Sequence, residues 1–440
     1  MPHDLDPADG ARALELDRAH VFHSWSAQGA LHPFVVAGAL ASTVWDFDGT
    51  EYLDFSSQLV NVNIGHQHPK VVAAIKEQAD LLATVAPAHA NLTRGEAAAR
   101  ILAKAGPTFG KVFFTNAGAD ANENAIRMAR LVTGRDKVLS AYRSYHGNTG
   151  AAIVATGDWR RVPNEFARGH AHFFGAFPYR SEFWSESAAQ ETERALQHLE
   201  RVIVSEGASG IAAIIVETVP GTAGVIVPPP GYLAGLRALA DRYGIVLIFD
   251  EVMAGFGRTG EWFAWQGIDG GVTPDLTTFA KGVNSGYVPI GGVVISESIA
   301  NAFDDVVFPG GLTYSGHPLA AASVVATIEA METDGVVAHA KQIGAEHIGP
   351  GLAALAEKHE LIGDVRGMGV FWALDLVADR TTREPLATSV VLRMKKELLD
   401  RGLLAFTQDN RIHVVPPCVV TPDEVARALA LYDEVLALHA

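Results

Sequence analysis

Five short apolar runs, "KVFFT" (111–115), "KVLSA" (137–141), "IAAIIVE" (211–217), "IVLIFD" (245–250) and "LTTF" (276–279), constrain the fold of this chain more than any other feature. Each is bounded by turn residues and shows no sustained apolar–polar alternation, the pattern of strands buried on both faces of a parallel sheet. The stretches between them read as helices. "GYLAGLRALADRYG" sets Leu233, Leu236, Leu239, Ala240 and Tyr243 on one helical face, with Gly244 placed to close it as a C-terminal cap. Strand, helix and parallel strand form a crossover unit, and repeated units predict an α/β fold: a mostly parallel sheet with helices on both faces.

The ends of the chain follow other patterns. In "VWDFDGTEYLDF" (44–55) apolar residues flank the Asp48-Gly49 dipeptide, a β-hairpin signal. After "GHPLAAASVVATIEAMETDG", with Pro318 suited to a helix start and Gly335 to its end, strand-like runs "VFWALDLV" and "RIHVVP" mix with helices. Thr421-Pro422-Asp423-Glu424 opens the last helix as a capping box. Over 440 residues this gives three parts. Residues 1–65 are an N-terminal segment with the hairpin that packs with the small domain, 66–325 a large ligand-binding domain, and 326–440 a smaller α+β domain.

A net charge of −16 argues against nucleic acid or an anionic membrane as the main partner. The single cysteine, Cys418, excludes an intrachain disulfide framework and fits a reducing compartment. The start of the chain is acidic without an apolar signal core, and no run approaches eighteen apolar residues, so a cytoplasmic chain without a membrane span is expected.

"IFDEVMAGFGRTG" contains Gly255-x-Gly257-x-x-Gly260, the spacing of a dinucleotide-binding loop. That loop works only when a helix opens behind it and an acidic residue follows about 20 residues on. Here "EWFAWQG" follows, and a nicotinamide-dependent dehydrogenase is the distant alternative rather than the main reading. Asp250 ends the preceding strand, and Lys281 follows the next one. In an open α/β sheet both emerge at the edge where ligands bind. A plain ion pair would satisfy the two groups, but so would one cofactor. Pyridoxal phosphate needs a lysine for a Schiff base, an acid for its pyridine nitrogen and backbone donors for its phosphate. A carboxylate about 4 Å from the pyridinium at an effective dielectric near 20 gains roughly 4 kcal/mol, enough to hold the ring protonated.

The phosphate calls for a glycine-bearing helix start, which "TNAGADANENAIRMARLVTG" supplies at Gly118-Ala119, with a helix running from about Asp120 to Gly134. "YRSYHGNTG" offers Tyr145 or His146 as a planar partner for a ring, and Glu217 is a further carboxylate at the same edge. "GGLTYSGHP" offers Thr313 and Ser315 to a phosphate or a turn. His66 and His68 in "GHQHP" have no third ligand at a metal-binding spacing, so turn histidines are expected and no metal. No G-x-S-x-G serine elbow occurs.

Together and in this order, "NAGADANE", "YHG", "DEVMAGFGRTG", "TFAKG" and "TYSGHP" resemble the class III aminotransferases, pyridoxal-phosphate enzymes of fold type I. The resemblance implies that Lys281 forms the Schiff base and Asp250 pairs with the pyridine nitrogen. It places Val252 on one ring face and Tyr145 on the other, Gly118 and Ala119 at the phosphate, and Glu217 toward the cofactor's hydroxyl. It also implies a homodimer in which Thr313 reaches the neighbouring subunit's phosphate. The implied activity is transfer of an amino group from an ω-amino acid or amine to a keto acid, pyruvate first. A same-fold aminomutase, racemase or phospho-lyase is the alternative. The arginine that many ω-amine members carry ahead of the "PP" turn is replaced near Thr407, with Arg411 a few residues on as the candidate for carboxylate recognition. "FHSWSAQG" is similar to the taurine:pyruvate and ω-amino-acid branch, which makes Trp25 and Val60 candidate pocket walls.

Overall fold

The computed structural model describes residues 5–165 and 168–439. Its first sheet is the expected hairpin: β1 (Gly38–Leu40), β2 (Thr43–Trp45) and β3 (Glu51–Asp54) pair antiparallel. Asp46 shapes the turn, its Oδ1 accepting the N–H groups of Asp48 at 3.0 Å and Thr50 at 2.9 Å, the Asx geometry that a short acidic side chain permits.

The five apolar runs lie in one seven-stranded sheet. Its members are β4 (Phe109–Thr115), β5 (Lys137–Ala141), β6 (His170–Phe173), β7 (Ile211–Glu217), β8 (Val246–Asp250), β9 (Leu276–Phe279) and β10 (Gly291–Ser296), in the order β4-β10-β9-β8-β7-β5-β6. All neighbours are parallel except those of β10, which runs antiparallel to both β4 and β9. Every residue of β7, β8 and β9 is buried, which is why their sequences do not alternate. Successive residues instead feed two cores. Ile215 and Ile248 pack with Ala121, Ala125 and Ile126 of the helix Gly118–Thr133, while Ile214, Leu247 and Phe249 pack with Leu233 and Leu236 of the helix Tyr232–Tyr243. Gly244 closes the latter helix at φ 60, the left-handed cap its position called for.

β6 and β10 lack that apolar signature. The residues of "HAHF" are polar at alternate positions and only partly buried up to Phe173, and β10 begins with two glycines. A Cβ on Gly291 would stand 2.6 Å from the Ala117 carbonyl oxygen, so the glycine lets this strand lie against the turn that starts the helix Gly118–Thr133.

In the C-terminal part, β11 (Ile362–Met368) and β12 (Phe371–Asp379) form an antiparallel pair, and the two-residue β13 (Glu384–Pro385) adds to β12. β14 (Leu403–Leu404) leaves this group and pairs in parallel with β3, Leu403 opposite Leu53, which ties the N-terminal segment to the C-terminal part. β15 (Phe406–Gln408) and β16 (Arg411–Val414) complete the order β11-β12-β16-β15. The last helix, Pro422–Ala437, opens on the capping box: Thr421 Oγ1 accepts from Glu424 N, and the Glu424 carboxylate accepts from Thr421 N at 2.8 Å. Among the described residues no helix is long and apolar enough to cross a membrane.

Candidate active site

The carboxyl edge of the large sheet gathers the chemistry. Glu217 is in register with Asp250 across β7 and β8, and Asp250 with Thr278 across β8 and β9. Lys281 follows β9 by two residues, at φ 45, a left-handed conformation that strains a residue with a Cβ. Gly282 makes the turn possible, since a Cβ there would come 2.2 Å from Asn63 Nδ2. Asp250, Glu217 and Lys281 line one cavity of about 570 Å³, with Gly118, Ala119, Tyr145, His146 and Val252.

Asp250 is buried and well supported. Its Oδ2 lies 2.8 Å from His146 Nδ1 and accepts from Asn122 Nδ2 at 2.7 Å, and its Oδ1 accepts from Val252 N at 3.0 Å. A carboxylate can only accept, so Nδ1 of His146 carries the hydrogen. Asn122 is itself oriented by Thr278, whose hydroxyl donates to Asn122 Oδ1 at 2.7 Å. These three bonds leave Asp250 about one of a carboxylate's four lone-pair sites for a further donor. Glu217 accepts from Tyr145 N at 2.8 Å and Gly221 N at 2.9 Å. Burial, reinforced by the charge of Asp250, pushes the Glu217 carboxyl up to about 6. Burial also brings the Lys281 amine down to about 8, against the opposite pull of Glu217 and Asp250. A lysine so placed is a usable nucleophile near neutral pH.

At the anion end, Ala117 is the N-cap and Gly118 the first residue of the helix Gly118–Thr133, so the N–H groups of Gly118 and Ala119 have no acceptor within the helix. A Cβ on Gly118 would stand 2.8 Å from Val252 Cγ1, so the glycine allows Val252 to pack on this helix start. Tyr145 is crossed by two neighbours. The Arg160 guanidinium lies 3.9 Å over its ring, and the Trp25 ring meets it edge-on at 6.3 Å.

The facing wall is a different kind of structure. Leu59 and Asn61 line the cavity from a segment in which Ser57, Gln58 and Val60 all have positive φ. Asp54, fully buried, holds this segment by accepting from Ser56 Oγ at 2.6 Å and Gln58 Nε2 at 2.9 Å, and its Oδ2 is 2.9 Å from His66 Nε2. Arg258, also fully buried, donates to Asn63 Oδ1 at 2.7 Å, Ser57 Oγ at 3.3 Å and the Pro416 carbonyl.

Not all expected residues meet here. Val60 is buried in the hydrophobic core, and its place on the wall is taken by its neighbours Leu59 and Asn61. Trp25 is exposed and reaches the cavity only through Tyr145. Arg411 lines a neighbouring cavity of about 220 Å³, with Arg143 and Arg180, and its guanidinium donates to Asp409 at 2.6 Å; Thr222 borders both cavities. Thr407 pairs with Ile412 across β15 and β16. Thr313 is exposed and does not line this chain's own cavity. His66 and His68 pair with Asp54 and Asp334. Sequence reasoning missed Asn122, Arg160, Glu123 and the bond between His146 and Asp250. The "ANE" and "YHG" motifs contain three of these residues, but only the fold shows whom they touch.

This arrangement fits pyridoxal phosphate: a buried lysine amine, an acid with one acceptor site left, an aromatic ring and a helix start with free N–H groups, all on one cavity. The fold and site define a pyridoxal-phosphate enzyme of fold type I. The family model described as aminotransferase class-III matches residues 25–436, and the chain belongs to that family. It is an aminotransferase that depends on pyridoxal phosphate. The chain is 32% identical to the taurine–pyruvate aminotransferase of Rhodobacter capsulatus over 98% of both chains. It is 35% identical to the 5-aminovalerate aminotransferase of Pseudomonas aeruginosa, over 92% of this chain and 94% of that one. Among solved structures, the taurine:2-oxoglutarate aminotransferase of Bifidobacterium kashiwanohense, in complex with the cofactor and glutamate, is 43% identical at a TM-score of 0.94, covering 98% of each chain.

Proposed function

We propose that this aminotransferase takes the amino group of a short ω-amino acid or amine, with taurine and β-alanine the first candidates, and passes it to a 2-oxo acid, pyruvate first, in a ping-pong cycle. The observation that carries the choice of donor is Arg160, a cation stacked on Tyr145 beside the cavity. Its Nε and Nη2 are paired with the Asp158 carboxylate, which leaves Nη1 as the free donor for the anionic tail of a substrate. That remaining N–H donor can give a sulfonate or carboxylate one charge-assisted hydrogen bond.

Pyridoxal phosphate supplies an aldehyde for amine exchange and a protonated ring that takes up the electrons left when a C–H bond breaks. The chain's residues do the rest. Gly118 and Ala119 hold the phosphate, Val252 and Tyr145 enclose the ring, and Asp250 keeps the ring nitrogen protonated while His146 and Asn122 hold Asp250 in place. Lys281 Nζ, its amine kept partly neutral by burial, would take the proton from the carbon that bears the donor's amine. Glu217 fixes the Tyr145 backbone and lies on the hydroxyl side. Thr313 serves the phosphate site of a second copy in a homodimer.

A second acceptor, 2-oxoglutarate, is favoured by the relative from Bifidobacterium, named for that acceptor, and by the arginine-bearing annex beyond Thr222. There Arg411 is the candidate for the distal carboxylate. The test is a panel of taurine, β-alanine, 4-aminobutyrate, putrescine and 1-phenylethylamine, with alanine formed from pyruvate and glutamate from 2-oxoglutarate as readouts. Arg160→Ala is expected to raise KM for taurine and β-alanine about tenfold or more and to leave 1-phenylethylamine unchanged. Equal losses for charged and neutral donors would remove Arg160 from the reading. No transfer to either acceptor would point to an aminomutase, racemase or phospho-lyase.

A further inference from the structure

Glu123 closes the "NAGADANE" motif, and the chemistry described so far does not use it. It sits on the helix Gly118–Thr133 one turn beyond the phosphate turn, partly buried, with its carboxylate directed at a different segment. One oxygen, Oε2, accepts from Thr149 Oγ1 at 2.8 Å, Ala151 N at 2.8 Å and Ala152 N at 3.2 Å. Thr149 Oγ1 also lies 3.3 Å from the Ala119 carbonyl oxygen. These donors follow directly on the loop that carries Tyr145 and His146.

A second, independent contact joins the same two pieces. Gly147, at φ 129, has no side chain because a Cβ there would stand 2.5 Å from Ala119 Cβ. The ring-stacking loop therefore rests its backbone on the phosphate turn, and Glu123 fastens the two from the other side. Without the carboxylate, two backbone N–H groups and a hydroxyl would lose a charged acceptor.

We propose that Glu123 is a positioning residue for the cofactor: it clips the Tyr145–Thr149 loop to the Gly118–Ala119 turn so that the ring site and the phosphate site form one rigid cradle. The inference rests on the placement of the ring at Tyr145 and of the phosphate at Gly118. A cradle of this kind makes coupled binding its signature. A ligand that spans both sites gains from the rigid connection, whereas a ligand that fills one site gains little.

The test uses the full-length apo-protein as wild type, Glu123→Gln and Thr149→Val, with dissociation constants for pyridoxal phosphate, pyridoxal and inorganic phosphate, and a thermal melt of each apo-protein. Glu123→Gln is expected to weaken pyridoxal phosphate roughly tenfold and speed its release, while pyridoxal and phosphate alone change by less than about threefold. Thr149→Val, which removes one donor and leaves the charge, is expected to move the same way by a smaller factor, and it decides the matter if the Gln variant does not fold. Unchanged pyridoxal phosphate affinity, or an equal loss for all three ligands alongside a lowered melt, overturns the inference. If the wild type itself bound the cofactor without any dependence on Tyr145 or Gly118, the site reading would fail instead.

Discussion

On the sheet side of the cavity, Asp250, Glu217 and Asn122 stand at the ends of regular elements, and their bonds to His146, Val252, Tyr145, Gly221 and Thr278 run from 2.7 to 3.0 Å. On the facing side, Leu59 and Asn61 ride on a segment that holds three of its residues at positive φ. Each such residue costs on the order of 1–3 kcal/mol, and it persists only where its surroundings fix it. Here the fixing groups are Asp54 and Arg258, two fully buried charged side chains that bind backbone and side-chain atoms of the segment and its flank. We infer from the contrast a division of labour, in which the sheet side would hold what every turnover needs and the strained side would shape what is allowed to react.

The sharpest break between the two sides comes from the sheet side. Lys281→Ala is expected to abolish turnover and the visible absorbance of the lysine-bound cofactor. Asp250→Asn, which keeps the shape but not the charge, is expected to slow turnover about a thousandfold, the equivalent of roughly 4 kcal/mol of ring stabilisation. Changes on the strained side should leave the cofactor alone. Leu59→Ala is expected to shift the ratio of kcat/KM between 1-phenylethylamine and taurine by about 10–200-fold with cofactor affinity unchanged. A loss of cofactor from that variant would show that the two walls are not separate.

Titration separates the walls more gently. Because burial lowers the Lys281 amine to about 8, the fraction able to capture pyridoxal phosphate should rise roughly fivefold over the pH unit below that value and then level off. Stopped-flow capture by the apo-protein measures this, and a rate still climbing at pH 10 would contradict it. The smallest effect lies beneath the site. Glu251, buried and accepting from Ala264 N at 2.9 Å and Trp265 N at 3.1 Å, is raised by burial from 4.5 to about 7. The folded chain then binds more protons at this group than the unfolded one between those values, so its contribution to stability is full below 4.5 and lost as pH rises through 7. Glu251→Gln should flatten the decline of the melting temperature over that window.

The same contrast explains what could be read from the sequence. The sheet side was legible because its strands are buried on both faces, so "IVLIFD" and "LTTF" announce themselves and deliver Asp250 and Lys281 to one edge by topology alone. The hairpin, the helix that starts at Gly118 and the capped last helix were legible for the same local reasons. β6 and β10 were not, since a four-residue strand with alternating histidines and a strand opening on two glycines carry little apolar signal. On the strained side local rules mislead. Val60 falls on the core side of a segment with three residues at positive φ, and no pattern in "SSQLVN" records that backbone. Arg160 and Glu123 contact partners 15 and 28 positions away, Tyr145 and Ala151, a relation that only the folded chain shows.

The most direct measurement is chemical. The cofactor-loaded protein is reduced with borohydride, which fixes the imine as a stable amine, and the labelled peptide is mapped by mass spectrometry. The expected result is a single pyridoxyl group on Lys281, with its yield lowered in Asp250→Asn. A label on any other lysine, or none, would contradict the assignment of the sheet edge as the catalytic centre.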